Sequence, residues 1–179
     1  MVPAREVPSF EVPTLHSGDV VLRPWDLADA PAVIAAAADT YIPHITTVPE
    51  SAGEPEARAY IERQWDRALS GLGYSFAICA PSAAVGQIGL WPRDGVASIG
   101  YWLVPAARGR GLAARALGVL MGWASAVGYA DLELFAEPWN EASLATARRC
   151  GFVERGTVRA HHQVGTEPRD AIRMTRSYR

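Results

Sequence analysis

This sequence predicts a mixed α/β fold in one domain, and three observations carry that reading. Strand-like runs at 74–80, 84–91 and 96–104 follow one another closely, joined by the turn residues Pro81-Ser82 and Arg93-Asp94-Gly95. Residues 111–127 place Leu112, Ala116, Val119, Leu120, Trp123 and Val127 on one helical stripe. The length, 179 residues with 49% hydrophobic and 20% charged, suits one domain. Folding at this size hides roughly 70% of the unfolded surface, so the core needs no metal or disulfide staples.

The elements follow in order. Residues 1–13 carry Pro3, Pro8 and Pro13 and read as an arm leading into a single domain over 14–179. Thr14 to His16, the turn Ser17-Gly18-Asp19 and Val20 to Arg23 read as a hairpin. The Ala-rich stretch 26–38 is helical, with Pro31 tolerable only near its start. Residues 41–53, with Pro43 and Pro49, form a loop. Pro55 opens a second helix whose Ala57, Ile61, Gln64, Trp65 and Ala68 share a face. After the three strands and the helix over 111–127 comes a short strand at 132–136. Asn140 caps a helix that Gly151-Phe152 stops in Schellman fashion. Residues 153–158 and 171–178 pair as closing strands around a loop holding His161, His162 and Gly165. Trp65, Trp91 and Trp123 sit at core-like spacing. Trp25 and Trp139 suit either core burial or the wall of a pocket.

Composition excludes several functions. All 17 basic residues are arginines, which leaves no lysine for a Walker A loop, a Schiff base or a kinase site. Cys79 and Cys150 lack the spacing of a zinc site or a disulfide framework, and each reads as a small apolar filler, so no metal is expected. No apolar run approaches the ~20 residues of a membrane span. The first ten residues, with Arg5, Glu6 and two prolines, do not read as a signal peptide. The expected compartment is the cytoplasm, with no membrane partner. A sequence pI near 6.1 offers no broad basic footprint for nucleic acid. The net charge of −2 nevertheless hides a split: residues 1–100 hold six arginines against twelve acids, and 101–179 hold eleven against seven. Such a split suits an anionic ligand on the basic half, or simply a solvated surface.

The most informative stretch runs from Tyr101 to Ala114, where a strand meets Pro105 and a turn rich in glycine and arginine opens a long helix. Amides at a helix N-terminus lack intrahelical partners and carry partial positive charge. Gly109 and Gly111 let the backbone close on a phosphate, with Arg108 and Arg110 adding charge, so a pyrophosphate is the natural guest. The plain alternative is a tight turn with surface arginines. Gly109-x-Gly111-x-x-Ala114 also matches a dinucleotide fingerprint. Four residues separate it from the strand, however, and a meander rather than a βαβ series precedes it.

Arg108-x-x-Gly111-x-Ala113 after a strand resembles the acetyl-CoA pyrophosphate motif Q/R-x-x-G-x-G/A of the GNAT superfamily of N-acetyltransferases. Ile99-Gly100-Tyr101-Trp102-Leu103 resembles the preceding strand in its RimJ/RimL-like branch, which acetylates protein N-termini. Asn140-x-x-Ser143 with Arg149-Cys150-Gly151-Phe152 is similar to that branch's N-x-x-S…K-x-G-F helix, and Leu22-Arg23-Pro24 to its first strand. The resemblance spans residues 14–178. It implies a central, mostly antiparallel twisted sheet with a splayed parallel strand pair and about four flanking helices. It implies acetyl-CoA as co-substrate, held by Trp102, Leu103, Val104, Arg108, Gly109, Arg110, Gly111, Leu112, Ala113, Asn140 and Ser143. The amides of 109–113 would take the pyrophosphate, and main-chain groups of Leu103 and Val104 would pair with pantetheine. Asn140 also suits simple capping, and Ser143 needs no function to sit in a first helical turn.

The implied chemistry is direct attack of an uncharged amine on the thioester in a ternary complex. A strand amide stabilises the carbonyl oxygen, and Ser143 is the candidate proton donor or thiolate partner. The acceptor is a protein N-terminus or a small-molecule amine, and the chain is a monomer or homodimer. The base departs from the family pattern: Ser98 stands where relatives commonly have Glu. Water, Glu137, His44, His161 or His162 could take the proton, though Glu137 also reads as a strand-end surface charge and the histidines as loop residues. Two other classes stay open: a catalytically silent acyl-CoA-binding or interaction module, and a nicotinamide-dinucleotide domain.

Overall fold

The structure is a computed structural model describing residues 10–178, so most of the expected arm lies outside the described residues. Phe10 is described; it stacks on Tyr74 at 4.5 Å between ring centroids. Strands β1 (Leu15–Ser17), β2 (Val20–Arg23), β3 (Tyr74–Cys79), β4 (Ala84–Arg93) and β5 (Val96–Leu103) precede β6 (Asp131–Ala136), β7 (Val153–Val164) and β8 (Glu167–Ser177). They build one sheet in the order β1-β2-β3-β4-β5-β6-β8-β7. The helices are α1 (Ala30–Ala37), α2 (Ile42–Ile45), α3 (Glu54–Leu69), α4 (Leu112–Ala126) and α5 (Glu141–Arg149).

The sequence rules act locally as expected. Asp26 accepts a hydrogen bond from Ala28 N at 2.8 Å while Asp29 accepts from Asp26 N at 2.9 Å, a reciprocal cap that starts the first helical segment. Asp29 also takes a two-pronged contact from Arg23 at 2.7 Å, tying β2 to that cap. In α4, Leu112, Ala116, Leu117, Leu120 and Ala124 are fully or almost fully buried. Each fully buried leucine contributes about 1.5–3 kcal/mol by leaving water. Gly151, at φ +79°, ends α5 with its amide on Arg148 O and Phe152 N on Ala147 O.

Alternation along the central strands divides the layers. Ser75, Gln87 and Trp102 meet α3, through a buried polar network. Trp102 Nε1 donates to Gln87 Oε1 at 2.9 Å, Gln87 Nε2 to Ser75 Oγ at 3.0 Å, and Ser75 Oγ to Gln64 Oε1 at 3.1 Å. Tyr60 Oη donates to the same Gln87 oxygen. Its phenol, pushed up to about 12 by burial, stays protonated for that role. The opposite face is covered by α4 and α5, with Trp123 edge-on to Phe76 at 5.7 Å and Tyr101 reaching Ser143.

The strand pairings decide the fold question. Every pairing is antiparallel except β5–β6, and that parallel contact covers Ala97↔Leu132, Ser98↔Glu133 and Ile99↔Leu134 alone. A doubly wound nucleotide fold needs a series of parallel strands. One parallel pair in a meander therefore rules out the dinucleotide domain. Beyond Ile99, β5 stays with β4 as far as Leu103, and β6 stays with β8 as far as Ala136. The two strands part company and leave a wedge-shaped gap.

Three expectations need correction. The loop at 41–53 contains α2, whose first turn is capped by Asp39 Oδ1 accepting from Tyr41 N and Ile42 N, each at 2.9 Å. The closing strands run much further than expected, so His161 and His162 lie within β7 rather than in a loop. Trp65 and Trp139 are not core residues; they are 36% and 59% exposed, whereas Trp25 is 3% exposed. Trp65 donates its indole N–H to Trp25 O, and Trp139 packs edge-on against Tyr41.

Candidate active site

Four elements converge on the gap between β5 and β6: the end of β5, the turn into α4, the start of α5, and the segment leading into α2. In an antiparallel ladder, alternate residues turn their main-chain groups towards the same neighbour. Val104 N donates to Val85 O at 2.9 Å, which gives Val104 and Trp102 to β4. Tyr101 and Leu103 therefore point their main-chain groups towards the gap. Val104 does not share the role expected of it, because its amide is spent on β4. Trp102 is likewise a support: its indole is buried in the polar network on the other face. Gly86 lets β4 lie close here, since a methyl at that position would meet Trp102 O and come within 2.8 Å of Leu103 Cδ2.

The turn from β5 into α4 is a row of amides. Gly109 and Gly111 both adopt positive φ, at 73° and 71°, and an added Cβ would find no heavy atom within 4 Å of either. Gly111 occupies the N-cap position without a side-chain cap. Among the described residues, no hydrogen bond satisfies the amides of Gly109, Arg110, Gly111, Leu112, Ala113 and Ala114; the next amide, Arg115 N, donates to Gly111 O at 3.2 Å. Gly109, Arg110 and Gly111 are exposed and the Leu112 side chain is buried, which sets the peptide edge outward. Donor-rich backbone at the head of a 15-residue helix is well suited to a diphosphate.

Arg108 is tied back rather than extended. Its Nε donates to Leu103 O at 3.1 Å and its Nη2 pairs with Asp39 at 2.9 Å. The Asp39 carboxyl sits below its ordinary range: burial pushes it up, but the Ile42 and Tyr41 amides and the Arg108 guanidinium outweigh that.

Ser143 lies one turn into α5 and shares a 2.9 Å hydrogen bond with the Tyr101 phenol. Asn140 caps the helix, its Oδ1 accepting from Ser143 N at 3.1 Å. The capping reading of Asn140 is thus correct, and the same residue also interacts with the phenol of Tyr41. Burial pushes the Tyr41 hydroxyl up to about 12, with the Asn140 amide opposing and the Glu137 charge reinforcing the shift. Burial raises Tyr101 as well, the bond to Ser143 opposing it. Both phenols are therefore neutral donors at any working pH. Tyr101, Ser143, Asn140, Tyr41, Asp39, Arg108 and Leu103 are linked in series by polar contacts, some through main-chain amides.

The candidate bases separate cleanly. Glu137 is no surface charge: it is 4% exposed and lies 2.9 Å from His162 Nε2. His161 stacks on Phe135 at 4.1 Å, and burial and neighbouring His162 lower its pKa. His44 is well exposed and 4.0 Å from Glu50, outside the cluster. Sequence reading passed over three contributors, Tyr101, Tyr41 and Asp39. Tyr101 was legible, because strand alternation sends it to the face opposite Trp102, where α5 must pack. Tyr41 had no local signal. Among the described residues, no group of three or more His, Cys, Asp or Glu is arranged for a metal ion, and no helix is long and apolar enough to cross a membrane.

Comparison with known proteins supplies the family. Several solved structures share the fold. The microcin C7 self-immunity acetyltransferase MccE, solved with acetyl-CoA and AMP, is 17% identical with a TM-score of 0.78, covering 90% of this chain and 93% of that one. An acetyl transferase from Salmonella typhimurium, described as modifying the N-terminal serine of ribosomal protein L7/L12, is 20% identical with a TM-score of 0.77, over 91% and 97%. A probable GNAT acetyltransferase from Chromobacterium violaceum is 24% identical with a TM-score of 0.77, over 99% and 92%. No curated protein matches the sequence significantly. A family model described as an acetyltransferase (GNAT) domain matches residues 19–153. With its one splayed parallel pair and its row of free amides at the head of α4, this chain belongs to the GNAT acetyltransferase family.

Proposed function

We propose that the protein moves an acetyl group from acetyl-CoA to a primary amine by direct attack in a ternary complex. The row of unpaired amides from Gly109 to Ala114, beside a gap lined by main-chain groups of Tyr101 and Leu103, carries this reading. The amides would hold the pyrophosphate, and the edge of β5 would receive the pantetheine arm much as a sheet receives another strand. Arg110, exposed on the same turn, adds positive charge beside the phosphates.

Chemistry then follows from the groups at the gap. Charge gathers on the thioester oxygen as nitrogen attacks, and a β5 amide facing the gap stabilises it. The Tyr101–Ser143 pair supplies the proton that the departing thiolate needs, with Ser143 as the terminal donor. Holding both reactants in the gap contributes most of the remaining acceleration. The acceptor we favour is a protein N-terminus, a reading supported by the shared fold of the Salmonella enzyme.

Thermal stability with acetyl-CoA, CoA or a nicotinamide dinucleotide is the first test. Stabilisation by the two coenzyme A species and none by the dinucleotide is expected. Thiol release with small amines and serine-starting peptides then tests catalysis. Binding without release across the panel would leave a silent acyl-CoA module, the reading that Ser98 in the usual base position favours.

A further inference from the structure

We infer that His162, held in place by Glu137, is the base that takes the proton from the acceptor amine. This assignment rests on the acetyl-transfer reading above and identifies a group that the Ser98 position does not supply.

The first observation is a change of strand register. Between the pairs Val158↔Ala171 and His162↔Arg169, β7 advances four residues while β8 advances two. The surplus forms a bulge in which Ala160 takes φ 49° and donates its amide to Asp170 Oδ1 at 3.0 Å. Bulges re-aim side chains and recur beside active sites. Here it sets the rings of two successive histidines 5.9 Å apart, at 82° to each other. His161 is spent on Phe135, and His162 meets Glu137.

The second observation is where Glu137 lies. It directly follows β6, at the open end of the gap, and its neighbour Asn140 caps the helix that carries Ser143. A carboxylate that is 4% exposed is costly to bury without a partner, and His162 Nε2 supplies one at 2.9 Å. A carboxylate accepts hydrogen bonds, so it selects the imidazole tautomer with hydrogen on Nε2. Nδ1 is then left with its lone pair, on a side chain that keeps 26% of its surface exposed. An oriented, partly accessible imidazole backed by a buried carboxylate is the arrangement of a proton acceptor. The other charged or titratable groups facing this pair are Tyr41 before α2, Glu133 on β6, His161 on β7 and Arg169 on β8.

The proton balance closes. His162 Nδ1 takes one proton from the arriving ammonium and passes it to water. The freed amine forms the C–N bond as the C–S bond breaks, its electron pair going to sulfur. The Tyr101–Ser143 pair protonates that sulfur, and the second nitrogen proton makes good the loss. Glu137 acts through His162 and is a positioning residue.

The test uses the full chain with acetyl-CoA and the amine panel, comparing wild type, His162→Gln, His162→Gly, Glu137→Gln and Glu137→Asp. His162→Gln should lower kcat/KM by about 10²-fold or more while acetyl-CoA affinity stays at the wild-type value. Imidazole added to His162→Gly should restore part of the rate. Glu137→Gln should lower kcat while acetyl-CoA affinity stays at the wild-type value, and Glu137→Asp, which keeps a carboxylate to hold the imidazole, should recover part of the rate. Wild-type turnover in His162→Gln, His162→Gly and Glu137→Gln would overturn the assignment and leave the transferase reading intact. Acetyl-CoA binding with no turnover of any amine by the wild type would overturn both.

Discussion

Gly111→Asp puts the amide row to its sharpest test, with Gly111→Ala as the matched control. Gly111 stands at φ +71°, where a side chain is strained, yet a Cβ there meets no heavy atom within 4 Å. Alanine therefore introduces strain without a clash, at about 1–2 kcal/mol. For a domain of this size that lowers Tm by roughly 2–8 °C. Aspartate adds the same strain and a negative charge among the donors that face the proposed diphosphate. Two like charges about 4 Å apart at an effective dielectric near 20 repel by about 4 kcal/mol. That corresponds to about a 10³-fold loss of affinity, at about 1.4 kcal/mol per tenfold. Titration calorimetry with CoA should show a modest change for alanine and near abolition for aspartate. The two variants should unfold at similar temperatures without ligand. Equal CoA affinity for Gly111→Asp and wild type would refute the cradle, since no phosphate could then lie near that amide.

Ser143→Ala should leave acetyl-CoA affinity intact and lower kcat by about 10²-fold or less, as expected for loss of one proton donor whose Tyr101 partner survives; steady-state kinetics at wild-type rates would remove it from the mechanism. Asp29→Ala should cost about 3 kcal/mol in urea unfolding, because it strands the Arg23 charge and removes half of the cap before α1. Asp39, whose carboxyl is held low when folded, contributes stability that is complete above its unfolded value near 3.8 and is lost as pH falls through the lower folded value. Asp39→Asn should accordingly be less stable at neutral pH and show a flatter acid limb in pH-dependent thermal melts. Gly86→Ala should weaken both stability and CoA binding, because the methyl pushes β4 away from Trp102 and Leu103 at the end of β5.

Much of the fold was legible because it rests on short-range rules. The α4 stripe, the Asn140 cap, the Gly151 stop and the three-strand meander each follow from residues within a few positions of one another. The amide row was legible for the same reason, since a helix start rich in glycine has only local donors to offer. The closing strands were cut short because the Arg- and His-rich β7 lacks an apolar alternation. It holds its place through pairing with β8 and through the Asp170 contact at the bulge.

By itself the sequence determined the family, the order of the strands and longer helices, and the loop that would cradle a diphosphate, all consequences of backbone geometry and nearest neighbours along the chain. Tertiary structure decided which polar side chains work together. Tyr41, Tyr101, Glu137, Ser143 and His162 are drawn from five separate segments, and only the parting of β5 from β6 and the bulge in β7 bring them around one gap. The physical reason is that burial and proximity give a carboxylate or an imidazole its chemistry. Those properties belong to the packed molecule, whereas the donors of a helix end belong to the chain.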